Sequence, residues 1–347
     1  MIENLKLIAN RARQVPKRWL VTGAAGFIGS HLVETLLQMD QEVIGLDNLS
    51  TGNRGNLSDV EKSLEPHQLE KFKFIEGDIT SLTACREACA GVSIVLHQAA
   101  LGSVPRSLSE PLRSHLNNVD GFINILEASR AERVHRFVYA SSSSVYGDHP
   151  ILPKEESNIG RPLSPYAATK LVNEIYASVY SRNYSLPTIG LRYFNVFGPR
   201  QNPYGEYAAV IPRWLEAMTS GSRVAINGDG ATSRDFCYVK NVVQANILAA
   251  LTPSEEAVNR IYNIAAGQRT TLVELFEKIK ARVAKNSPRA NDIKPDRAIE
   301  RPGDVKHSFA DISLAQKLLG YCPSHDLDAG LDELMAWENG RRGAKTT

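Results

Sequence analysis

The sequence predicts a doubly wound α/β fold: a parallel sheet with helices on both faces, followed by a smaller C-terminal substrate-binding lobe. Three observations carry this. Short apolar runs alternate with amphipathic helical runs from residue 18 to residue 193. The first apolar run passes through a glycine-rich turn straight into a helical pattern. Beyond residue 193 the alternation stops, and short elements follow, broken by Asn227-Gly228-Asp229-Gly230 and Arg301-Pro302-Gly303-Asp304. The expected division is residues 1–193, with an N-terminal helix, and residues 194–347.

Arg18-Trp19-Leu20-Val21-Thr22 reads as the first strand and runs into Gly23-Ala24-Ala25-Gly26-Phe27-Ile28-Gly29. Residues 30–38 then show helical spacing, with Leu32, Val33, Leu36 and Leu37 apolar. In such a unit Gly23 permits the tight turn, and Gly26 lets the backbone approach a pyrophosphate at the helix N-terminus. Gly29 permits close helix–strand packing. The second strand, 42–46, ends at Asp47-Asn48. An acid there suits the adenosine ribose hydroxyls and would repel a 2′-phosphate, so NAD is expected over NADP. The third strand, 72–76, leads to Gly77-Asp78-Ile79, where an adenine edge would lie. The fourth, 92–97, ends in Gln98-Ala99-Ala100, small enough for a cofactor to lie against the backbone. His97 reads as a packing residue at that strand end. A helix is expected over 112–131, with Leu116, Val119, Ile123 and Leu126 as its apolar stripe. The fifth strand spans 136–140, a long helix 166–183, and the sixth strand 187–193.

The fifth strand ends in four serines, Ser141 to Ser144, and the helix after it opens with Tyr166 and carries Lys170 one turn later. That spacing puts phenol and ammonium on one helical face. A phenol is a poor base, its pKa being near 10. A neighbouring ammonium and a bound pyridinium both favour the phenolate. Lowering that pKa by roughly three units takes about 4 kcal/mol of differential stabilisation. The pair therefore reads as an oxyanion base for a sugar hydroxyl, with a strand-end serine completing the relay. Arg234 and Arg301 are candidates for gripping a diphosphate by forked hydrogen bonds.

Composition is ordinary for a globular enzyme: 347 residues, 43% hydrophobic and 22% charged. A formal net charge of +2 argues for neither a nucleic-acid nor a membrane partner. Cys85, Cys89, Cys237 and Cys322 lack zinc-ligand spacing, so no metal is expected, and all four are expected reduced, as suits a cytoplasmic location. No apolar run is long enough to span a membrane, and residues 1–18 are basic and amphipathic without a secretory core.

Gly23-x-x-Gly26-x-x-Gly29, Asp47, Gly77-Asp78-Ile79, the serine-ended strand with Val145-Tyr146-Gly147, and Tyr166-x-x-x-Lys170 together resemble the extended short-chain dehydrogenase/reductases. The likeness covers nearly the whole chain. Within that family the segments 97–107, 191–199, 207–212 and 301–308 are most similar to UDP-sugar 4-epimerases acting on N-acetylhexosamine nucleotides in bacterial polysaccharide pathways. The resemblance implies transient oxidation at C4 by a retained NAD, with Tyr166 as base. Lys170 would bind the nicotinamide ribose, and Ser142 would be the relay serine, with Ser143 as the alternative. The cofactor would be held by Gly23, Gly26, Phe27, Ile28, Gly29, Asp47, Asn48, Asp78, Ile79, Gln98, Ala99, Ala100, Tyr166 and Lys170. Asn195, Arg234, Arg301 and Asp304 would hold the UDP portion, Ser103 and Ser143 would line the sugar site, and Ala209 and Ser142 would also contact the substrate. Ser308 falls where the family limits pocket size, and a serine there leaves room for an N-acetyl group. Ala225 departs from the aromatic that relatives often carry near the uracil. Pairing into a homodimer is implied through the helices around Leu116 and Ile175. First choice of substrate is UDP-GlcNAc/UDP-GalNAc, then the uronic acid, then UDP-glucose. Ser143 and Ser144 stand where related dehydratases need an acid–base carboxylate pair.

Overall fold

The computed structural model describes residues 12, 17–204, 208–299 and 306–343. Its centre is a seven-stranded sheet, parallel throughout. Six strands are β1 (Arg18–Thr22), β2 (Glu42–Asp47), β3 (Phe72–Glu76), β4 (Ile94–His97), β5 (Arg136–Ser142) and β6 (Thr188–Tyr193). The seventh is Arg260–Ile264, and the order across the sheet is 260–264, β6, β5, β4, β1, β2, β3.

Strand period and double-sided burial explain the apolar runs. Trp19 and Val21 enter one core while Leu20 enters the other. Along β5, Val138 faces the first core, and Phe137 and Tyr139 face the second. Helices Phe27–Gln38 and Val239–Leu251 cover the first face, and Leu82–Cys89 and Gly121–Ala131 the second. The order reverses between β1 and β4, so their C-terminal ends open a crevice, the usual ligand position in this architecture.

Two expectations change. Residues 112–131 are not one helix: Pro111–His115 passes through a π-helical turn, Leu116–Asp120, into Gly121–Ala131. The π turn directs Asn118 inward, where its side chain accepts from the Leu101 N–H at 2.7 Å and donates to Thr169 Oγ1 at 3.2 Å. Leu116, expected on the apolar stripe, is exposed. Nor is residue 193 a spatial boundary. The helix Val239–Leu251 packs on the sheet and Arg260–Ile264 extends it, so the chain returns to the first unit after entering the second. The smaller lobe has its own core, with Trp214, Leu275, Phe276, Ile279, Leu331 and Leu334 drawn from Val210–Ser220, Leu272–Ala284 and Leu327–Gly343.

Of residues 1–18, expected to form an N-terminal helix, the structure describes 12, 17 and 18; Arg18 begins β1, and Ala12 is buried with its carbonyl accepting from Gln41 Nε2 at 3.1 Å. The four cysteines are free thiols, three of them buried. Among the described residues, no helix is long and apolar enough to cross a membrane.

Candidate functional site

A cleft of about 490 Å³ opens at the C-terminal ends of β1, β2, β4 and β5. Its floor is the glycine turn. Gly23 has φ +70°, and a Cβ there would stand 2.9 Å from the Ala99 nitrogen. A Cβ on Gly29 would collide with the Gly23 carbonyl. The turn therefore tolerates no side chain at either position, and it presents bare backbone and a helix start to the cleft.

Asp47 ends β2 and lines the cleft. Its carboxylate accepts from the Ala25 N–H at 3.0 Å and the Leu49 N–H at 2.8 Å. Burial nonetheless holds its pKa above the usual carboxylate value. Asn48, Ile79, Gln98, Ala99 and Ala100 complete the expected wall. Behind Gln98 sits a closed triad: Tyr193 Oη donates to Gln98 Oε1 at 3.0 Å, Asn246 Nδ2 donates to Tyr193 Oη at 2.8 Å, and Gln98 Nε2 donates to Asn246 Oδ1 at 3.1 Å. His97 is turned into the core. Its Nδ1 meets Thr22 Oγ1 at 2.8 Å, its ring packs on Phe122 and Phe137, and burial pushes its pKa to about 3, so it stays neutral.

Across the cleft stand Ser142, Tyr166 and Lys170. The helix Pro165–Tyr184 starts cleanly, with Pro165 in its first turn and the Ser164 hydroxyl accepting from the Ala167 N–H at 3.2 Å. Tyr166 thus points from the first turn into the cleft beside the end of β5. Burial raises its pKa, and a hydrogen bond with Ser142 pulls it back down. Lys170 is buried, donates to the Ala140 carbonyl at 2.9 Å and lies 6.0 Å from the Tyr166 ring centroid. Burial lowers its pKa to about 8. Its ammonium and the Tyr166 ring thus share one wall of the cleft.

A second cavity, of about 380 Å³, continues from the first, with Asn195 and Val196 lining both. Ser103, Ala209, Arg234, Trp214 and Phe236 line it. Two of its residues hold positive φ without being glycine: Ser103 at +108° and Asn195 at +31°. Such strain persists only where the surroundings enforce it. The Ser103 hydroxyl caps the helix Val104–Ser109, accepting from the Arg106 N–H at 3.2 Å, and Asn195 Nδ2 donates to the Asp235 carbonyl at 3.2 Å.

Three expected residues stand off these walls. Asp78 lies behind the cleft, its carboxylate taken by Asn48 Nδ2 at 2.7 Å and the Thr80 N–H at 2.8 Å. It orients Asn48, which does line the cleft. Ser143 begins the 3-10 turn Ser143–Tyr146 and does not line the cleft, whereas Ser142 does. Ser308 donates its N–H to the Ser233 carbonyl at 3.0 Å, beside Arg234 but outside both linings. Arg301 and Asp304 lie outside the described residues. Sequence reasoning missed Asn117, on the π turn, and Tyr193, Gln201 and Trp214. The helical break that places Asn117 lies between Pro111 and Gly121, but the apolar spacing of 112–131 runs through it, while Tyr193 reads only as a strand end.

The NAD dependent epimerase/dehydratase family model matches residues 19–265. A curated relative, the putative UDP-glucose 4-epimerase of Methanocaldococcus jannaschii, is 38% identical over 320 residues, 92% of this chain and 97% of that one. Among solved structures, the UDP-N-acetylglucosamine 4-epimerase of Methanobrevibacter ruminantium, in complex with UDP-N-acetylmuramic acid, is 39% identical with a TM-score of 0.85. The match covers 94% of this chain and 99% of that one. The UDP-glucuronic acid 4-epimerase of Bacillus cereus, in complex with UDP-glucuronic acid and NAD, is 30% identical with a TM-score of 0.82, covering 93% and 99%.

Proposed function

This chain belongs to the NAD dependent epimerase/dehydratase family, and within it we propose a UDP-N-acetylglucosamine 4-epimerase that interconverts UDP-GlcNAc and UDP-GalNAc. The observation that carries the chemistry is the placement of Ser142, Tyr166 and Lys170 on the wall opposite the glycine turn. The turn fits NAD because it excludes side chains where a pyrophosphate would lie, and Asp47 closes the far end.

Bound there, NAD supplies a reversible hydride acceptor for C4. The rest falls to the chain. Tyr166, as phenolate, takes the proton of the 4-hydroxyl, Ser142 shares that hydrogen bond, and Lys170 keeps the negative oxygen favourable. Once the keto sugar has turned over, Tyr166 returns the proton from the same atom. Arg234 and Asn195 hold the nucleotide end, so the sugar swings without leaving. Dehydration lacks its carboxylate pair, since Ser143 and Ser144 stand in its place.

Three features favour the N-acetylated sugar. The likeness to the Methanobrevibacter enzyme is one. The small Ser308 beside Arg234 is another. The third is electrostatic: among the described residues lining the two cavities, the basic ones are Lys170, Arg213 and Arg234. Lys170 is committed to Tyr166, and the two arginines line only the outer cavity, so none of the three is placed to meet a C6 carboxylate beside the phenol. The uronic acid is the second reading, favoured by the Bacillus likeness. Incubation with UDP-GlcNAc, UDP-glucuronate and UDP-glucose, followed by separation of the C4 epimers, decides among them. In the same assay Ser308→Tyr should lower kcat/KM for UDP-GlcNAc about tenfold more than for UDP-glucose, the scale of a steric misfit in a pocket. Equal loss on both would remove Ser308 as a gate.

We also propose a homodimer. Leu112, Leu116 and Ile175 are exposed on neighbouring helices. Together they form an apolar face that a second copy would cover. Light scattering should give twice the chain mass, and Leu112→Glu should reduce it to the monomer.

A further inference from the structure

We infer that Glu174 is a positioning residue for the proton relay: gripped by Arg192 and Ser141, it fixes β5 between the contacts of Lys170 and Tyr166 and supplies the negative charge that keeps Lys170 cationic. The inference rests on Tyr166 being the base.

Glu174 is buried one helical turn beyond Lys170. Arg192 on β6 forks onto it, Nε to Oε1 at 2.9 Å and Nη2 to Oε2 at 2.8 Å. Ser141 Oγ donates to Oε1 at 2.5 Å. Ser141 lies between Ala140, whose carbonyl accepts from Lys170, and Ser142, which hydrogen-bonds Tyr166. One carboxylate thus ties the catalytic helix to the strand at the point where both catalytic contacts leave it. Arg192 is locked in turn: Nη1 donates to the Glu156 carbonyl at 3.0 Å and its plane lies 4.8 Å over the Tyr146 ring. Buried ion pairs add little stability over apolar residues of the same volume. What this pair contributes is orientation and charge.

The groups around Lys170 make Glu174 its negative partner. Tyr166 shares its helix, His97 on β4 is neutral, and Tyr139 on β5 is driven further from ionisation by burial. On β6, Arg192 spends its charge on Glu174, with Tyr146 and Glu156 on its far side. Burial drives Lys170 down and Glu174 pulls it back. Without that carboxylate the ammonium is lost at lower pH, and Tyr166 loses its cation.

The test is the kcat–pH profile of the double variant Glu174→Gln/Arg192→Gln, in which two amides replace the two charges. We expect the alkaline limb to move down by about one pH unit and kcat at pH 8 to fall about fivefold. A folded double variant with wild-type limbs overturns the charge role. If the double variant does not fold, Glu174→Asp, its carboxylate withdrawn by one methylene, must shift the limb in the same direction by less; an unmoved limb overturns the role equally. Ser141→Ala keeps every charge and removes only the tie to the strand. It should lower kcat several-fold at unchanged KM and unmoved limbs, and Ser141→Thr should restore it. Wild-type kcat in Ser141→Ala overturns the positioning role. Tyr166→Phe in the same assay separates the two ideas: full activity there rejects the base itself, whereas an inactive Tyr166→Phe with unmoved limbs in the Glu174 variants rejects only Glu174.

Discussion

Tyr166→Phe should keep NAD bound and lose roughly 10³ in kcat, about 4 kcal/mol of transition-state stabilisation. The ring stays, so the packing of the first helical turn and the cleft wall is preserved; only the oxygen that receives the proton is gone. Ser142 cannot replace it, since an unassisted hydroxyl is a far weaker base and Lys170 carries protons rather than accepting them below its pKa of about 8. The loss should fall on kcat and kcat/KM alike, the signature of an interaction made in the transition state. Cofactor occupancy, read from the absorbance of the purified protein, separates this from a folding defect. An active Tyr166→Phe enzyme would remove the proposed base.

Why was this tyrosine legible from sequence when other parts of the site were not? Local rules place it. Pro165 and the Ser164 cap fix the helix start, and the 3.6-residue period then puts Lys170 on the same face. The glycine turn is equally local: the Gly23 carbonyl must clear Gly29, and both lie in one strand–turn–helix unit. The parts missed depend on long-range pairing. Arg260–Ile264 shows five ordinary residues, and only its register with β6 across some seventy positions makes it a sheet strand. Asn117 lines the cleft and Asn118 turns inward because of a π turn, which the apolar spacing of 112–131 does not show. Asp78 reads as a cofactor residue by its place after β3, and its contacts to Asn48 and Thr80 come from loops that the sequence does not pair. Glu174 shows the same limit. Its position after Lys170 is plain in the sequence, but its partners come from β5 and β6.

Asp235 carries the second large effect, on stability rather than rate. It is fully buried, and burial raises its pKa to about 7 despite backbone N–H donors from Ala266 at 2.9 Å and Ala310 at 3.5 Å. In the unfolded chain the same carboxyl titrates near 4. Between those values the folded state binds the extra proton, so stability falls as pH rises from about 4 to about 7 and the penalty is complete above that. The full span corresponds to about 4 kcal/mol. Half-buried His31 and buried His97, with pKa values lowered to about 4 and about 3, tilt the curve the other way, losing stability as pH falls below about 6.5. The comparison that isolates Asp235 is therefore wild type against Asp235→Asn. The amide still accepts from Ala266 but cannot ionise. Its cost at the weaker Ala310 contact is the same at every pH. Thermal melts from pH 5 to pH 8 should show the wild-type advantage shrinking as pH rises to about 7 and level above it. A difference that stays constant across that range would mean Asp235 is ionised throughout. The consequence reaches the site, because the Asp235 carbonyl holds Asn195 in its strained turn and the side chain ties residues 266 and 310 to the segment that carries Arg234. Ionisation of one carboxyl should thus loosen the same segment that carries Ser308 and Arg234.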